Sequence, residues 1–167
     1  MKDYKNIKMA FLVALIVLLT GCIVLLTVGS LTTDSISVYF MRSPDNQGAQ
    51  LVAMDRRIWK SEDHLKLALT QLLAGPTQRE LKRGFYTEIP KKTVLLGIKE
   101  SPKEITINLS KDFEANGGSM SIMGRLEQLA FTVLDAAGDK PVYLELDGKR
   151  VEYLGGDGIE ISQPLTR

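Results

Sequence analysis

The chain has 167 residues, of which 21 are Lys or Arg, 20 are Asp or Glu and 44% are hydrophobic. That length accommodates one domain of ordinary size and a leader. The net charge of +1 is unevenly distributed: residues 1–30 contain three lysines and one aspartate, which leaves 18 basic and 19 acidic residues in positions 31–167. A nearly neutral domain lacks the basic face that nucleic acid requires, so we expect no nucleic-acid partner.

Residues 9–28 form an uncharged run dominated by Leu, Val and Ile, preceded by the basic residues 1–8. As a helix this run would be about 30 Å long, which matches the hydrocarbon thickness of a bilayer. No Lys or Arg follows before Arg42, so the positive-inside rule places residues 1–8 in the cytoplasm and everything after the run outside. The sequence therefore predicts a transmembrane signal anchor at 9–28 and a short tether at 29–34.

Residues 19–22, Leu-Thr-Gly-Cys, also fit a lipobox, which makes Cys22 a candidate for lipidation. The apolar and weakly polar residues 23–29 favour the spanning helix, because acyl chains on Cys22 would already supply an anchor. Both alternatives remain open. Both predict a protein of the bacterial cell membrane, single-pass or lipid-anchored, with its C-terminal domain extracytoplasmic.

The rest of the chain alternates between strand-like and helix-like patterns. Strands are predicted at 35–41, 51–58, 93–100, 104–109, 142–146 and 150–153, and Asp147-Gly148 predicts a tight hairpin turn between the last two. A first helix is predicted to begin at Ser61 and to end at Gly75-Pro76. The stretch 77–90 is expected to be irregular, with Phe85 and Tyr86 attached to the core.

The second helix is predicted to begin after Ser119 as its N-cap. Its polar positions fall on one stripe, and its apolar positions fill the opposite side. The polar set is Ser121, Arg125, Gln128, Thr132 and Asp135; the apolar set is Ile122, Leu126, Leu129, Ala130, Val133, Leu134 and Ala137. Together the elements predict an α+β fold, a two-layer sandwich of two helices on one face of a mostly antiparallel sheet, preceded by the N-terminal transmembrane or signal helix.

Candidate catalytic and metal-binding groups are few. The only cysteine, Cys22, excludes an intramolecular disulfide and a thiolate zinc cage, and the only histidine, His64, falls in the first turn of the first helix without a partner for catalysis.

The stretch 117–119, Gly-Gly-Ser, precedes a helix as phosphate-binding loops do, but no lysine signature follows it. The stretch 155–158, Gly-Gly-Asp-Gly, lacks the spaced carboxylates of a calcium loop, and Asp112 with Glu114 does not form a glycosidase pair. We therefore expect no catalytic residue, no cofactor, no metal ion and no enzymatic activity.

Arg79, Lys82 and Arg83 form the one basic cluster. A solvated loop is the simplest interpretation of this cluster. A contact with anionic lipid or with a protein partner is the alternative.

Five stretches resemble, in the same order, the GerMN domain of the sporulation and spore germination family. They are VYFM followed by LVAMDRRI (38–41 and 51–58), LALTQLLAGPT (67–77), GFYTEIPKKTVLLGI (84–98), ITINLSKDFEANGGS (105–119), and LELDGKRVEYLGG with the closing ISQPLTR (144–156 and 161–167). The resemblance covers about residues 35–167. It implies a non-enzymatic α/β module of bacterial envelope proteins, often lipoproteins, that is similar to ring-building domains of the sporulation channel.

From this resemblance we expect a membrane-tethered extracytoplasmic interaction or scaffold domain in sporulation or germination. Its expected partners are the membrane, envelope proteins and, as an open alternative, further copies of itself. Two departures from the family limit what transfers, because the founding germination protein resembles a tandem of two such domains and actinobacterial members add a propeller. The alternative function is a small-ligand or glycan-binding envelope lipoprotein, which would need a concave site containing exposed aromatic residues such as Trp59, Tyr86 and Tyr153.

Overall fold

The computed structural model describes residues 9, 12–20, 23, 33–44, 48–59, 63–115, 117–138, 140–156 and 158–167. The chain divides into two compact units, Met1–Asp34 with Arg57–Ser61 and Ser35–Arg56 with Glu62–Arg167. Residues 12–20 of the first unit are helical and exposed. Within the residues that the structure describes, no helix is long and apolar enough to cross a membrane. Cys22 and residues 24–32, which include most of the predicted tether, lie outside the described residues.

The remaining elements follow in chain order. The strands are β1 (Thr33–Arg42), β2 (Gln50–Trp59), β3 (Phe85–Tyr86), β4 (Leu95–Glu100), β5 (Ile105–Leu109), β6 (Val142–Leu146), β7 (Lys149–Arg150), β8 (Tyr153–Leu154) and β9 (Ile159–Glu160). The helices are α1 (His64–Ala74), α2 (Gln78–Leu81) and α3 (Ser119–Ala137), with a 3₁₀ turn at Lys111–Glu114. The α+β class predicted from the sequence is confirmed.

The described strands form three sheets, with the orders β2-β1-β3, β4-β5-β6-β7 and β8-β9, where a single sheet was expected. The pairings are mostly antiparallel, as predicted. The exception is β5 with β6, which run parallel from Ile105 opposite Val142 to Leu109 opposite Leu146. Parallel neighbours need a long crossover connection, and α3 supplies it.

The core of the second unit lies between the two long helices and the four-stranded sheet. Leu65, Leu69 and Leu72 of α1 are buried, in the i, i+4, i+7 spacing of one helix face. On the sheet side of the core, the inward side chains of β5 and β6 are buried as well. These residues are Ile105, Ile107, Leu109, Val142, Leu144 and Leu146. Burial of this apolar surface is the main term that stabilises the fold.

The N-caps of the two long helices differ from the prediction by two residues and by one residue. Asp63, not Ser61, is the N-cap of α1, and its carboxylate accepts a hydrogen bond from the Lys66 amide at 3.0 Å. Gly118, not Ser119, is the N-cap of α3, without a side-chain cap. The predicted end of α1 at Gly75 and the predicted hairpin turn are confirmed, the latter by positive φ angles of 47° and 77° at Asp147 and Gly148.

Residues 77–90, expected to be irregular, contain the short helix α2. It begins with a capping box, in which the Glu80 amide donates to the Thr77 hydroxyl and the Thr77 amide donates to the Glu80 carboxylate. The same carboxylate pairs with Arg56 at 2.7 Å, and Glu80 is only 7% exposed. The Thr-x-x-Glu spacing is the signal in the sequence that predicts this helix start.

Candidate functional site

Three of the five residues in the polar stripe of α3 are buried, as is much of its apolar face. Arg125, Gln128 and Thr132 are at most 2% exposed. Because a buried polar group without a partner costs about 1–3 kcal/mol, each of these side chains needs hydrogen bonds inside the protein. The partners come from β1, from the segment after β3 and from the segment before α3.

Gln128 is inserted between two backbone segments that would otherwise pair. In the register of β1 with β3, Met41 lies opposite Tyr86, so the continued ladder would place Tyr39 opposite Glu88. At that position the Gln128 amide nitrogen donates to the Tyr39 carbonyl at 3.1 Å, and its oxygen accepts from the Glu88 amide at 2.8 Å. The side chain thus replaces the backbone pairing, which explains why β3 has only two residues.

Thr132 completes the hydrogen bonding of the same residue of β1. The Tyr39 amide donates to the Thr132 hydroxyl oxygen at 3.0 Å. Since Gln128 binds the Tyr39 carbonyl, two consecutive turns of α3 satisfy both backbone groups of Tyr39 that face the helix. The helix side chains therefore substitute for a neighbouring strand at this edge of β1.

Arg125 holds the segment that leads into α3. Its Nη1 donates to the Phe113 carbonyl at 2.7 Å and to the Ala115 carbonyl at 3.1 Å, while its Nη2 donates to the Ser121 hydroxyl at 2.9 Å. Burial lowers the pKa of the Arg125 guanidinium, and the nearby Glu88 carboxylate opposes that shift. Gly117 lies against this group with φ of +90°, and a Cβ there would come within 2.9 Å of Nη2.

A polar cleft of about 530 Å³ opens beside Arg125. Its lining includes Ser121, whose hydroxyl donates to the Glu88 carboxylate at 2.6 Å, together with Lys91, Lys92 and Asp112. Ser121, Arg125 and Asp112 are therefore engaged in internal hydrogen bonds. A serine activated as a nucleophile needs a general base such as histidine, and His64 lies at the first position of α1, half-buried and outside the lining of this cleft.

A second opening is an apolar groove between β1, β2, α3 and the residues after β9. It has a volume of about 480 Å³, and its floor is formed by Leu51, Leu126, Ala130, Phe131, Ile161 and Leu165. The Tyr39 and Phe131 rings pack at 5.3 Å on one side. Glu127 and Glu160 lie on the rim, and Arg167 forms an ion pair with Asp135 and lies over the Phe131 ring at 5.8 Å.

Tyr39 links this groove to the polar stripe. Its hydroxyl donates to the Asp135 carboxylate at 2.7 Å. Burial, together with the hydrogen bond and the negative charge of Asp135, raises the pKa of Tyr39 above 10. All five residues of the stripe predicted from the sequence are thus part of a network that joins α3 to its neighbours.

The carboxylates that were considered as a glycosidase pair, Asp112 and Glu114, both have other partners. Asp112 accepts a hydrogen bond from the Ser110 hydroxyl at 3.3 Å, and Glu114 pairs with Lys111 at 3.7 Å. Asp157 lies outside the described residues. Among those described, no group of three or more His, Cys, Asp or Glu residues is positioned to hold a metal ion.

Two of the aromatic residues considered for glycan binding, Tyr86 and Tyr153, lie in different sheets. Tyr86 is half-buried in β3 of the three-stranded sheet, and Tyr153 is 58% exposed in β8 of the two-stranded sheet. Neither lines the clefts described above. Trp59 is 62% exposed and belongs to the first unit.

The elements and the internal polar network define a small α+β domain with mixed sheets. The chain belongs to the sporulation and spore germination family (Germane), whose family model matches residues 37–152. The resemblance predicted from the sequence is therefore confirmed.

Solved structures agree with this assignment. The chain is similar to the first GerMN domain of the sporulation protein GerM from Bacillus subtilis, with 21% identity, a TM-score of 0.64 and coverage of 80% of this chain and 98% of that chain. It is also similar to the tandem GerMN domains of the same protein, with 21% identity, a TM-score of 0.63 and coverage of 81% of this chain. The match spans only 46% of the tandem structure.

A structure from Clostridium perfringens, classed provisionally as a lipoprotein, matches at 24% identity with a TM-score of 0.50, covering 78% of this chain and 86% of that chain. At these identities the likeness shows the fold. No curated protein sequence matches the chain.

Proposed function

We propose that this chain is a membrane-tethered extracytoplasmic domain that binds other envelope proteins during sporulation or germination. Family membership supports the process, and the uncharged run at 9–28 supports the tether. The binding role rests on the contrast between the polar cleft beside Arg125 and the apolar groove. The Ser121, Arg125 and Glu88 side chains are held in internal hydrogen bonds, whereas the groove beside Phe131 is open.

The groove has features of a protein-binding surface. Aromatic and aliphatic side chains both line it, and aromatic residues are enriched at the centre of interfaces. The acidic residues Glu127 and Glu160 stand at its rim, where polar residues usually surround an apolar centre. In this proposal, a second copy of the chain is one of the proteins that could bind the groove.

Site-specific photo-crosslinking in cells tests the binding role. A photoreactive phenylalanine analogue at Glu127 should give adducts with envelope proteins, because Glu127 is exposed at the groove rim. The matched control carries the analogue at Lys103, which is exposed in the turn between β4 and β5 and does not line the groove. Absence of adducts, or equal adducts at both positions, would contradict a binding role for the groove.

Location is tested in the same cells with a C-terminal epitope tag. Protease added to intact protoplasts should remove the tag, because the proposal places residues after the uncharged run outside the membrane. A cytoplasmic protein provides the control for lysis. A tag that survives until the membrane is permeabilised would contradict the extracytoplasmic location.

The route of anchoring is tested by Cys22→Ser. We expect the variant to remain membrane-bound and at full length, because residues 9–21 alone would reach only about 20 Å as a helix and residues 23–28 are needed to span. Intact mass of the membrane-extracted wild type is the decisive measurement. A product that begins at Cys22 and carries acyl mass would establish the lipid anchor instead.

A further inference from the structure

Four basic side chains that are exposed to solvent surround the turn of α2. We define the arginine patch as Arg42, Arg79, Lys82 and Arg83. The last three have the spacing i, i+3, i+4, which places them on one side of a helical turn. Arg42 joins them through the sheet, because it lies opposite Phe85 where β1 pairs with β3.

Phe85 holds two of these side chains in place. The guanidinium carbons of Arg42 and Arg83 lie 5.4 and 5.5 Å from the centroid of the Phe85 ring, and Phe85 itself is only 3% exposed. The two guanidinium carbons are therefore no more than about 11 Å apart, the sum of those two distances. Contact with an aromatic ring restricts the rotamers of both arginines before any ligand arrives, which lowers the entropy lost on binding.

The positive charge of the arginine patch is not neutralised within the residues that the structure describes. No ion pair there includes any of the four side chains, whereas other exposed cations do pair with acids, such as Lys99 with Glu145 and Lys140 with Glu100. The acid within the same turn, Glu80, is buried and bonded to Arg56 and to the Thr77 amide. A domain that is nearly neutral as a whole thus concentrates unpaired positive charge in one place.

We infer that the arginine patch is a docking site for an acidic segment of a partner protein. This inference rests on the proposed function, in which the chain binds envelope proteins. Three of the four cations are arginines, whose planar guanidinium groups bind carboxylates through two hydrogen bonds and which are enriched at protein interfaces, where lysine is depleted. Leu81, which is 45% exposed beside Lys82, adds apolar surface to the contact.

The chemistry of the arginine patch favours a protein over the lipid surface. Arg42 is seven residues beyond Ser35 along β1, which corresponds to about 23 Å at the rise of a strand. Ser35 follows the predicted tether at 29–34 directly, so Arg42 lies near the end of β1 that the tether does not join. Lipid surfaces also attract basic side chains without a requirement for guanidinium geometry, so the two classes of partner can be distinguished.

The test uses the full chain in nanodiscs of phosphatidylcholine and a fluorescent poly-L-glutamate probe. We expect saturable binding that weakens as salt rises through the physiological range. Arg79→Glu with Lys82→Glu should weaken it at least about tenfold, or 1.4 kcal/mol. The matched control, Lys103→Glu with Lys149→Glu, reverses two exposed cations elsewhere and should leave binding unchanged.

A second variant tests the guanidinium geometry. Arg42→Lys with Arg83→Lys keeps the charge, and we expect it to weaken binding measurably with little change in Tm. Retention of full affinity by this variant, equal loss in the control, or no binding by the wild type would overturn the inference. Patch-dependent binding to phosphatidylglycerol vesicles in preference to poly-L-glutamate would overturn it in favour of lipid. The protease test of location is independent of these results, so a failure of the proposed function can be told apart from a failure of the patch.

Discussion

The two buried faces of α3 are stabilised by different means. The apolar face packs Ile122, Leu129 and Val133 into the core, where the free energy depends on the area removed from water and little on direction. Arg125, Gln128 and Thr132 of the polar face are equally buried, but each of these side chains is bonded to a particular backbone group. The first face supplies most of the stability, and the second determines where β1 and the segment before α3 lie relative to the helix.

This difference explains how a helix can be buried on both sides within a small domain. Hydrophobic packing tolerates exchanges of similar volume, whereas a buried hydrogen bond leaves an unsatisfied group when one partner is removed. The losses of stability caused by substitutions on the two faces should therefore differ in size and in physical origin.

The largest effect is expected for Leu129→Asp. Leu129 is fully buried, and an unpaired carboxylate at its position costs several kcal/mol against a total stability of roughly 5–15 kcal/mol. We expect loss of the cooperative thermal transition measured by circular dichroism. The control is Met123→Asp on the same helix, where the side chain is 50% exposed and the substitution should be tolerated. A Leu129→Asp variant that melts at the wild-type temperature would place this face outside the core.

Gln128→Leu comes next, since it keeps the volume of the side chain and removes its polar atoms. The Tyr39 carbonyl and the Glu88 amide both lose their partner, which should cost about 2–6 kcal/mol at 1–3 kcal/mol for each unsatisfied group. Chemical denaturation measures the loss, with Gln78→Leu on the exposed side of α2 as the control. Equal stability of Gln128→Leu and the wild type would mean that water replaces the amide.

The sequence alone predicts the apolar face well and the polar face only in part. The spacing of Leu129, Val133 and their neighbours predicts both the helix and its buried side, because hydrophobic burial follows from residue type and period. The stripe that contains Gln128 is visible in the same pattern. The burial of this stripe cannot be predicted from the pattern, because a polar stripe normally faces solvent. Its partners on β1 are also almost 90 residues away in the chain.

Other missed features have a similar explanation. The division into three sheets depends on where strands stop pairing, and here a side chain of α3 ends the pairing of β1 with β3 after two residues. The basic cluster at 79–83 is visible in the sequence, but Arg42 joins it only through strand pairing. By contrast, the start of α2 could have been predicted from Thr77 and Glu80, whose spacing is that of a capping box.

A smaller effect is expected for Thr132→Val, which is nearly isosteric and removes the oxygen that accepts from the Tyr39 amide. The loss should be about 1–3 kcal/mol, the cost of one unsatisfied buried donor. Thr70→Val is the matched control, because the Thr70 hydroxyl is exposed and bonds only within its own helix. If both substitutions had the same effect on the denaturation midpoint, Thr132 would not be acting through Tyr39.

The smallest effect is a change in how stability depends on pH. The folded-state pKa of Tyr39 is raised above its ordinary value of 10.0, first by burial and then by the hydrogen bond and charge of Asp135. A group whose pKa is raised by folding contributes stability that is fully present below its unfolded pKa and is lost as pH rises through the folded value. The wild type should therefore be more stable than Tyr39→Phe at pH 8, and the gap should narrow above pH 10. Comparing the two chains at each pH cancels the titration of the lysines and of Tyr86, which both chains share. A gap that stays constant from pH 8 to pH 11 would show that ionisation of Tyr39 is not linked to folding, and that its hydroxyl contributes to the polar face only through packing.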